Sequence, residues 1–399
     1  MRTPADAGPE ALVLTTDAGL ALLAEVADVP RPAPADLARW RKRAEPELVA
    51  AALRIAEGRR KARGKFSRAD RIWPEAVAVE QATAEPVARH KALRFARIPD
   101  APVADLCCGI GGDAVALAAT NAVVAVDLDP GMTRRTVWNA GVYGVGDRVQ
   151  AECSRAETFP VAPASLVHID PDRRVGSKGR AREVRDYVPS TDFLLGLAGR
   201  VRGGAIKLGP ASDFETIGLG HELELVSLGG ECKEATVWFG DLAEPGVGIR
   251  ATHLPSGATW TDRDGPASAP RRTAPLDAWV FDPDPALSRS GLLDGYVASV
   301  GLARVGFGVD LLTGPGPVDS PWLAGFAVVE SYPLDIKTLR RVVATRGLGP
   351  LEIKTKGVEL LPEAVRRQLR PEGPNPATLI LLGGRDIPSR AILAARPPA

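Results

Sequence analysis

The chain has 399 residues, 45% of them hydrophobic, enough for packed cores in two or three domains. Its 50 basic and 49 acidic residues leave a formal charge of +1, so contact with a polyanion has to come from local basic patches and not from a global field. Four cysteines (Cys107, Cys108, Cys153 and Cys232) lack metal-ligand spacing, which argues against a zinc site or a disulfide framework and makes them reduced, partly buried residues.

No charged-then-apolar leader opens the chain, and the apolar stretch from Ala11 to Val29 is broken by Asp17, Glu25 and Asp28. A soluble cytoplasmic protein without a membrane span is predicted. Leu20, Leu23 and Val26 recur at helical spacing, and Leu37, Trp40, Leu48, Leu53 and Ile55 continue after a proline-rich break at 30–34. Residues 1–95 are therefore predicted as a helical domain. Arg59, Arg60, Lys61, Arg63, Lys65 and Arg68 form a basic cluster that suits either a solvated helix face or a nucleic-acid contact.

From residue 103 the pattern changes. An apolar run, Val103-Ala-Asp-Leu106, breaks at Cys107-Cys-Gly-Ile-Gly-Gly112 and passes into an alanine-rich helical segment. A strand, a glycine turn and a helix in that order let the backbone approach a nucleotide-like ligand beside a helix N-terminus. Gly109, Gly111 and Ala114 also satisfy the dinucleotide pattern, so the glycines leave two cofactor classes open. Asp105 separates them: a carboxylate at the strand end repels a pyrophosphate but accepts hydrogen bonds from an ammonium, which favours S-adenosylmethionine over NAD. The next run, Ala122 to Val126, delivers Asp127, an acid placed either to hold ribose hydroxyls or to cap a helix.

Strands are predicted at 103–106, 122–126, 148–152, 165–169, 203–208, 222–228 and 234–240. Seven strands with interposed helices predict an α/β, seven-stranded, doubly wound Rossmann-like domain over 96–254, its last two strands an antiparallel hairpin at one edge. In such sheets the ligand lies beyond the strand carboxyl ends, so Asp170-Pro171-Asp172-Arg173, after the fourth strand, faces the reacting group. Proline stiffens the turn, and the Asp170 carboxylate is placed to accept a substrate N–H and orient an attacking lone pair; a helix cap is the alternative. Downstream, Arg173, Arg174, Lys178, Arg180, Arg182 and Arg185 crowd a short segment containing Gly176 and Gly179. Beside the reacting group this suits a phosphate-contacting lid; elsewhere it would be a solvated loop. His90, His168, His221 and His253 stand isolated, which argues against histidine-based nucleophilic or metal chemistry, and no metal site is predicted.

Residues 255–275, rich in Gly, Pro, Ser and Asp, read as a linker, followed by an irregular stretch to about Ser320. Strands at 326–331, 351–354, 378–382 and near Ala391, with helices at 336–345 and 362–369, predict a small C-terminal α+β domain over 276–399.

The chain resembles class I S-adenosylmethionine-dependent methyltransferases, with Asp105 to Gly112 as the first motif, Asp127 as the ribose acid and Asp170 to Arg173 as the catalytic turn. More narrowly it resembles the trimethylguanosine-synthase-like branch, in which Thr83-Ala-Glu-Pro-Val-Ala-Arg-His90 matches a stretch before the first strand. It is similar there to bacterial members with a THUMP-like C-terminal domain, through Gly230 to Glu234 and Glu352-Ile-Lys-Thr-Lys-Gly357. The resemblance implies the fold, S-adenosylmethionine as cofactor and RNA as substrate. Two departures accompany it. Asp172 and Arg173 replace a second proline and an aromatic residue at the turn, and Cys153-Ser154-Arg155 stand where an adenine-contacting acid is usual, leaving Ser154 for that contact. An RNA methyltransferase is expected; methylation of a small molecule or protein, and an RNA-binding protein without turnover, are the alternatives.

Overall fold

The structure, a computed structural model, describes residues 8–173, 187–212, 222–265, 269–384 and 386–396. The chain divides into two compact units, Met1–His221 with Thr236–Glu244 and Glu222–Ala235 with Pro245–Ala399.

The first unit begins with six helices: α1 (Pro9–Thr15), α2 (Asp17–Ala27), α3 (Pro34–Arg41), α4 (Pro46–Ala62), α5 (Ala76–Gln81) and α6 (Glu85–Phe95). Prolines at the first turn of α1, α3, α4 and α6 start these helices where no intrahelical N–H is required, and the Thr16 hydroxyl accepts from Gly19 N–H to cap α2. Val13, Leu23, Val26, Trp40 and Ile55 form their buried core. Part of the basic cluster serves this packing. Arg59 donates to the carbonyls of Ile72 and Arg71, and Lys65 donates to Val79 and Ala82 carbonyls at the end of α5.

The α/β part follows as β1 (Val103–Leu106), α7 (Gly112–Leu117), β2 (Val123–Asp127), α8 (Pro130–Tyr143), β3 (Val149–Cys153), β4 (Leu166–Ile169), β5 (Asp172–Arg173), β6 (Tyr187–Val188), α9 (Thr191–Ala198) and β7 (Gly203–Leu208). Next, β8 (Glu222–Leu228) belongs to the second unit, and β9 (Glu231–Gly240) contributes Thr236–Gly240 to the first. Strand order in the first unit is β9-β7-β4-β1-β2-β3, with β7, β4, β1, β2 and β3 parallel. β1 and β4 are buried on both faces, as their nearly continuous apolar runs predict. The chain reverses direction of winding between β1 and β4, so their carboxyl ends open the ligand crevice of an open α/β sheet. The short β5 and β6 pair antiparallel just beyond β4.

The second unit adds β10 (Ile249–Leu254), β11 (Ala258–Thr261), β12 (Trp279–Pro283), α10 (Pro285–Arg289), α11 (Leu293–Ser299), β13 (Ala303–Arg304), β14 (Leu312–Gly314), β15 (Leu323–Pro333), α12 (Ile336–Thr345), β16 (Leu348–Lys356), α13 (Pro362–Leu369), β17 (Asn375–Gly384) and β18 (Ile387–Ala395). One of its sheets runs β13-β14-β12-β15-β18-β17-β16. Leu339, Val343, Val365 and Leu369 of α12 and α13 pack on one face of it, while Val280, Phe326, Ile380 and Ile392 form a core on the other.

All seven strands predicted before residue 241 are present, and three expectations need correction. The β8–β9 hairpin is not an edge, because β10 pairs with β8 in parallel and β11 pairs antiparallel with β10. The 255–275 stretch is not simply a linker: Ala258–Thr261 is β11, reached through Gly257 at φ 73°. The stretch before Ser320 is not irregular, since it carries β12, β13, β14 and two helices. Strands of two to five residues are too short to show a period, and partners distant in sequence order them. Among the described residues no helix is long and apolar enough to cross a membrane.

Candidate active site

The site forms at the carboxyl ends of β1, β2 and β4. Leaving β1, the backbone turns through Cys107, Gly109 and Gly111 at φ 60°, 55° and 85°. A side chain at Gly111 is excluded twice: its backbone is left-handed, and a Cβ would meet Thr136 at 2.9 to 3.1 Å. At Gly109 a Cβ would meet nothing within 4 Å, and this glycine lines a cavity of about 250 Å3. Asp127 ties the turn together. Its Oδ2 accepts from Gly109 N–H and its Oδ1 from Asp129 N–H, both at 2.9 Å. Burial pushes the Asp127 carboxyl up, and these backbone bonds oppose that shift.

Six aspartates, Asp105, Asp113, Asp127, Asp129, Asp170 and Asp172, line this cavity among the described residues. Such a lining disfavours an anion and favours a cationic group. Asp105 lies deepest, 1% exposed, with its Oδ1 at 2.7 Å from His168 Nδ1. Its Oδ2 is buried and has no hydrogen-bond partner. Burial raises the Asp105 carboxyl, while the His168 bond and the Lys91 charge oppose the rise. Asp113, in the first turn of α7, is treated differently. Burial alone would raise it, but the Lys91 ammonium at 2.9 Å, together with the neighbouring imidazole, Lys207 and the Thr83 hydroxyl, outweighs that and holds the carboxyl well below the usual range.

Asp170 stands at the mouth, and its Oδ2 accepts from Lys207 Nζ at 2.5 Å. Pro171 is buried behind it. Asp172, driven up by burial and by the neighbouring charges of Asp170 and Asp127, lines both this cavity and a smaller one of about 130 Å3. The smaller cavity contains Ser154, whose N–H donates to the Asp127 carbonyl at 3.0 Å, and it shares Cys107 and Asp127 with the larger one.

The structure thus gathers Asp105, Gly109, Asp127 and Asp170 around one cavity and places Ser154 in the adjoining one, while Gly111 packs on Thr136. Arg173 contributes backbone to β5; Arg174, Lys178 and Arg180 lie outside the described residues. Among the described residues no group of three or more His, Cys, Asp or Glu is arranged to hold a metal ion. Glu231 and Lys233 of the Gly230–Glu234 stretch pair with each other in the second unit.

His168 is not isolated, contrary to expectation. It bonds Asp105 across the β1–β4 register and lies 3.1 Å from Lys91 Nζ, partners 63 and 77 residues away. Two signals were available in the sequence. His168 interrupts an otherwise apolar strand, and Lys91 interrupts the buried stripe of Val87, Ala88, Ala92 and Phe95 on α6.

Residues 101–178 match the RNA cap guanine-N2 methyltransferase family, residues 323–396 match a THUMP domain-like family, and residues 11–62 match a domain of unknown function. Over 312 residues the chain is 38% identical to an uncharacterized S-adenosylmethionine-dependent methyltransferase of Mycobacterium tuberculosis, found in two strains. That match spans 76% of this chain and 82% of the relative. A crystal structure of a putative methyltransferase from Porphyromonas gingivalis superimposes with a TM-score of 0.71, covering 95% of this chain and 98% of that one at 19% identity, a likeness of fold.

Proposed function

The chain belongs to the S-adenosylmethionine-dependent methyltransferases, and from that premise we propose that its substrate is RNA. One observation carries the proposal: a single chain matches both an RNA cap guanine-N2 methyltransferase family and a THUMP domain-like family. On this reading residues 1–95 form a helical domain, residues 96–254 the methyltransferase domain and residues 276–399 a THUMP-like domain that grips RNA.

The cleft fits the cofactor on its own chemistry. Asp105 presents a buried carboxylate oxygen without a partner, which needs a donor, and the Gly109 position leaves open space for close approach to the backbone. Asp105 would hold the ammonium of the methionine part, Asp127 the ribose hydroxyls and Ser154 the adenine side. Bound there, S-adenosylmethionine supplies an electrophilic methyl group on a sulfonium. Asp170, its Oδ2 fixed by Lys207, accepts a substrate N–H and orients the nucleophilic lone pair, a role in which alignment supplies much of the acceleration. Pro171 stiffens the turn that carries it. Arg173, Arg174, Lys178 and Arg180 would contact RNA phosphates.

A small-molecule or protein acceptor is the second reading. It is favoured by Asp172 and Arg173, which remove the aromatic ring that would stack on a base.

Modified nucleosides compared by mass spectrometry in cells with and without the gene test the substrate. Loss of one methylated nucleoside from an RNA fraction is expected, and unchanged RNA would move the assignment to the second reading. With that RNA, Asp170→Ala should bind S-adenosylhomocysteine normally and lose methylation. Neutralising the four cations should weaken RNA binding and flatten its salt dependence.

A further inference from the structure

A buried polar chain forms one wall of the cleft: Thr83, Asp105, Asp113 and His168 line the cavity, and Lys91 lies behind them. Lys91 of α6 and His168 of β4 are each 1% exposed. Lys91 Nζ lies 3.1 Å from His168 Nε2 and 2.9 Å from Asp113 Oδ1, and the Thr83 hydroxyl donates to Asp113 Oδ2 at 2.7 Å. On the other side His168 Nδ1 lies 2.7 Å from Asp105 Oδ1. The chain ends at Asp105 Oδ2, buried, without a partner and at the cavity wall.

The direction of these bonds follows from donor chemistry. An ammonium only donates, so His168 Nε2 must accept from Lys91 and the ring proton must sit on Nδ1. Nδ1–H then donates to Asp105 Oδ1, leaving Asp105 an acceptor on both oxygens. Had the proton been on Nε2, two donors would face each other at 3.1 Å and Nδ1 would face a carboxylate as an acceptor. Asp113 and Thr83 hold Lys91 in place, so the tautomer at β4 is set from α6 and α7.

We propose that Lys91 and His168 are positioning residues that fix Asp105 as a hydrogen-bond acceptor, and that they thereby make the cleft select adenosine ligands carrying an amino-acid ammonium over those without one. The proposal rests on the assignment of Asp105 to the cofactor ammonium. Nothing in it requires either residue to touch the ligand. Selectivity arises because a buried charge-assisted bond needs its acceptor oriented and its other oxygen already satisfied.

The test uses the full-length protein and two probes, S-adenosylhomocysteine and 5′-methylthioadenosine, which lacks the amino-acid group. Calorimetry should show wild type preferring S-adenosylhomocysteine, with Asp105→Asn abolishing the preference. Lys91→Met and His168→Leu should each cut the preference by about ten-fold or more, leaving 5′-methylthioadenosine affinity within about two-fold. His168→Asn, whose amide can keep a donor near the Nδ1 position, should recover part of it. Nitrogen-15 NMR of the wild-type imidazole should place the proton on Nδ1, a readout that survives if Lys91→Met does not fold.

Full preference in Lys91→Met and His168→Leu, or a proton on Nε2, overturns the inference and leaves Asp105 as the ammonium ligand. An unaltered preference in Asp105→Asn removes that assignment and the inference with it.

Discussion

Gly109 N–H donates to Asp127 Oδ2 at 2.9 Å, joining the turn after β1 to the end of β2. The acid proposed to hold ribose is therefore also a strut of the glycine turn, with Asp129 N–H on its other oxygen. Replacing it leaves two backbone donors short of a partner, at about 1 to 3 kcal/mol for each that stays buried. Asp127→Ala is expected to lower the melting temperature of the ligand-free protein as well as S-adenosylhomocysteine affinity. An unchanged ligand-free melt would assign the carboxylate to the ligand alone.

The same pair shows what the sequence could and could not reveal. Gly109 and Asp127 were legible because each sits where a short apolar run ends, and the handover from strand to turn is a local pattern. The bond between them was not, although both residues were singled out. His168 and Lys91 illustrate a related limit: each interrupts an apolar run, but only the β1–β4 register and the packing of α6 bring them to Asp105. Ala258–Thr261 passed for a linker because four residues beside a Pro-Ser-Gly turn carry no measurable period, and pairing with β10 decides its state. In the basic cluster, residue type suggested a surface, whereas Arg59 and Lys65 serve as donors to nearby carbonyls.

The two glycines of the turn should fail differently. Gly111→Ala combines left-handed strain, about 1 to 2 kcal/mol, with a contact against Thr136, so it should lower stability markedly. Gly109→Ala carries strain alone, and its new methyl points into open space at the cavity. Thermal melts and calorimetry should separate them: the larger stability loss at Gly111, and at Gly109 a loss of S-adenosylhomocysteine affinity out of proportion to the melt. Equal profiles would mean that the cavity beside Gly109 is not where the ligand lies.

The cysteines should be distinguishable by alkylation. Burial pushes the Cys232 thiol up to about 12 and pushes Cys107 and Cys108 up as well, so little thiolate forms at pH 8. Cys153, at the end of β3, is exposed. Iodoacetamide at pH 8 followed by peptide mass spectrometry should label Cys153 first and leave Cys107, Cys108 and Cys232 largely unlabelled in the folded protein. Rapid labelling of Cys107, which lines both cavities, would contradict the upward shift that desolvation and the surrounding aspartates impose on its thiol.

In the second unit, Lys354 and Lys356 of the Glu352–Gly357 motif both reach Asp282 of β12, Lys354 at 2.7 Å. Lysines in an RNA-binding candidate invite assignment to phosphate, yet these two hold a largely buried carboxylate. Burial acts to raise Asp282, but the two ammonium groups outweigh it and hold the carboxyl below its ordinary value. A depressed folded-state pKa means that the stabilisation is fully present above the unfolded value of about 4 and is lost as pH falls through the folded value. Asp282→Asn should cost about 1 to 3 kcal/mol at pH 7, because it removes the carboxylate that both ammonium groups face and leaves Lys354 only Glu352 at 3.7 Å, and the penalty should shrink with acidification below about pH 4. Denaturant titrations at pH 7 and pH 3.5 check both the size and the sign. Lys354→Met and Lys356→Met should be destabilising too, so weakened RNA binding in either variant reports on phosphate contact only where its melt matches wild type.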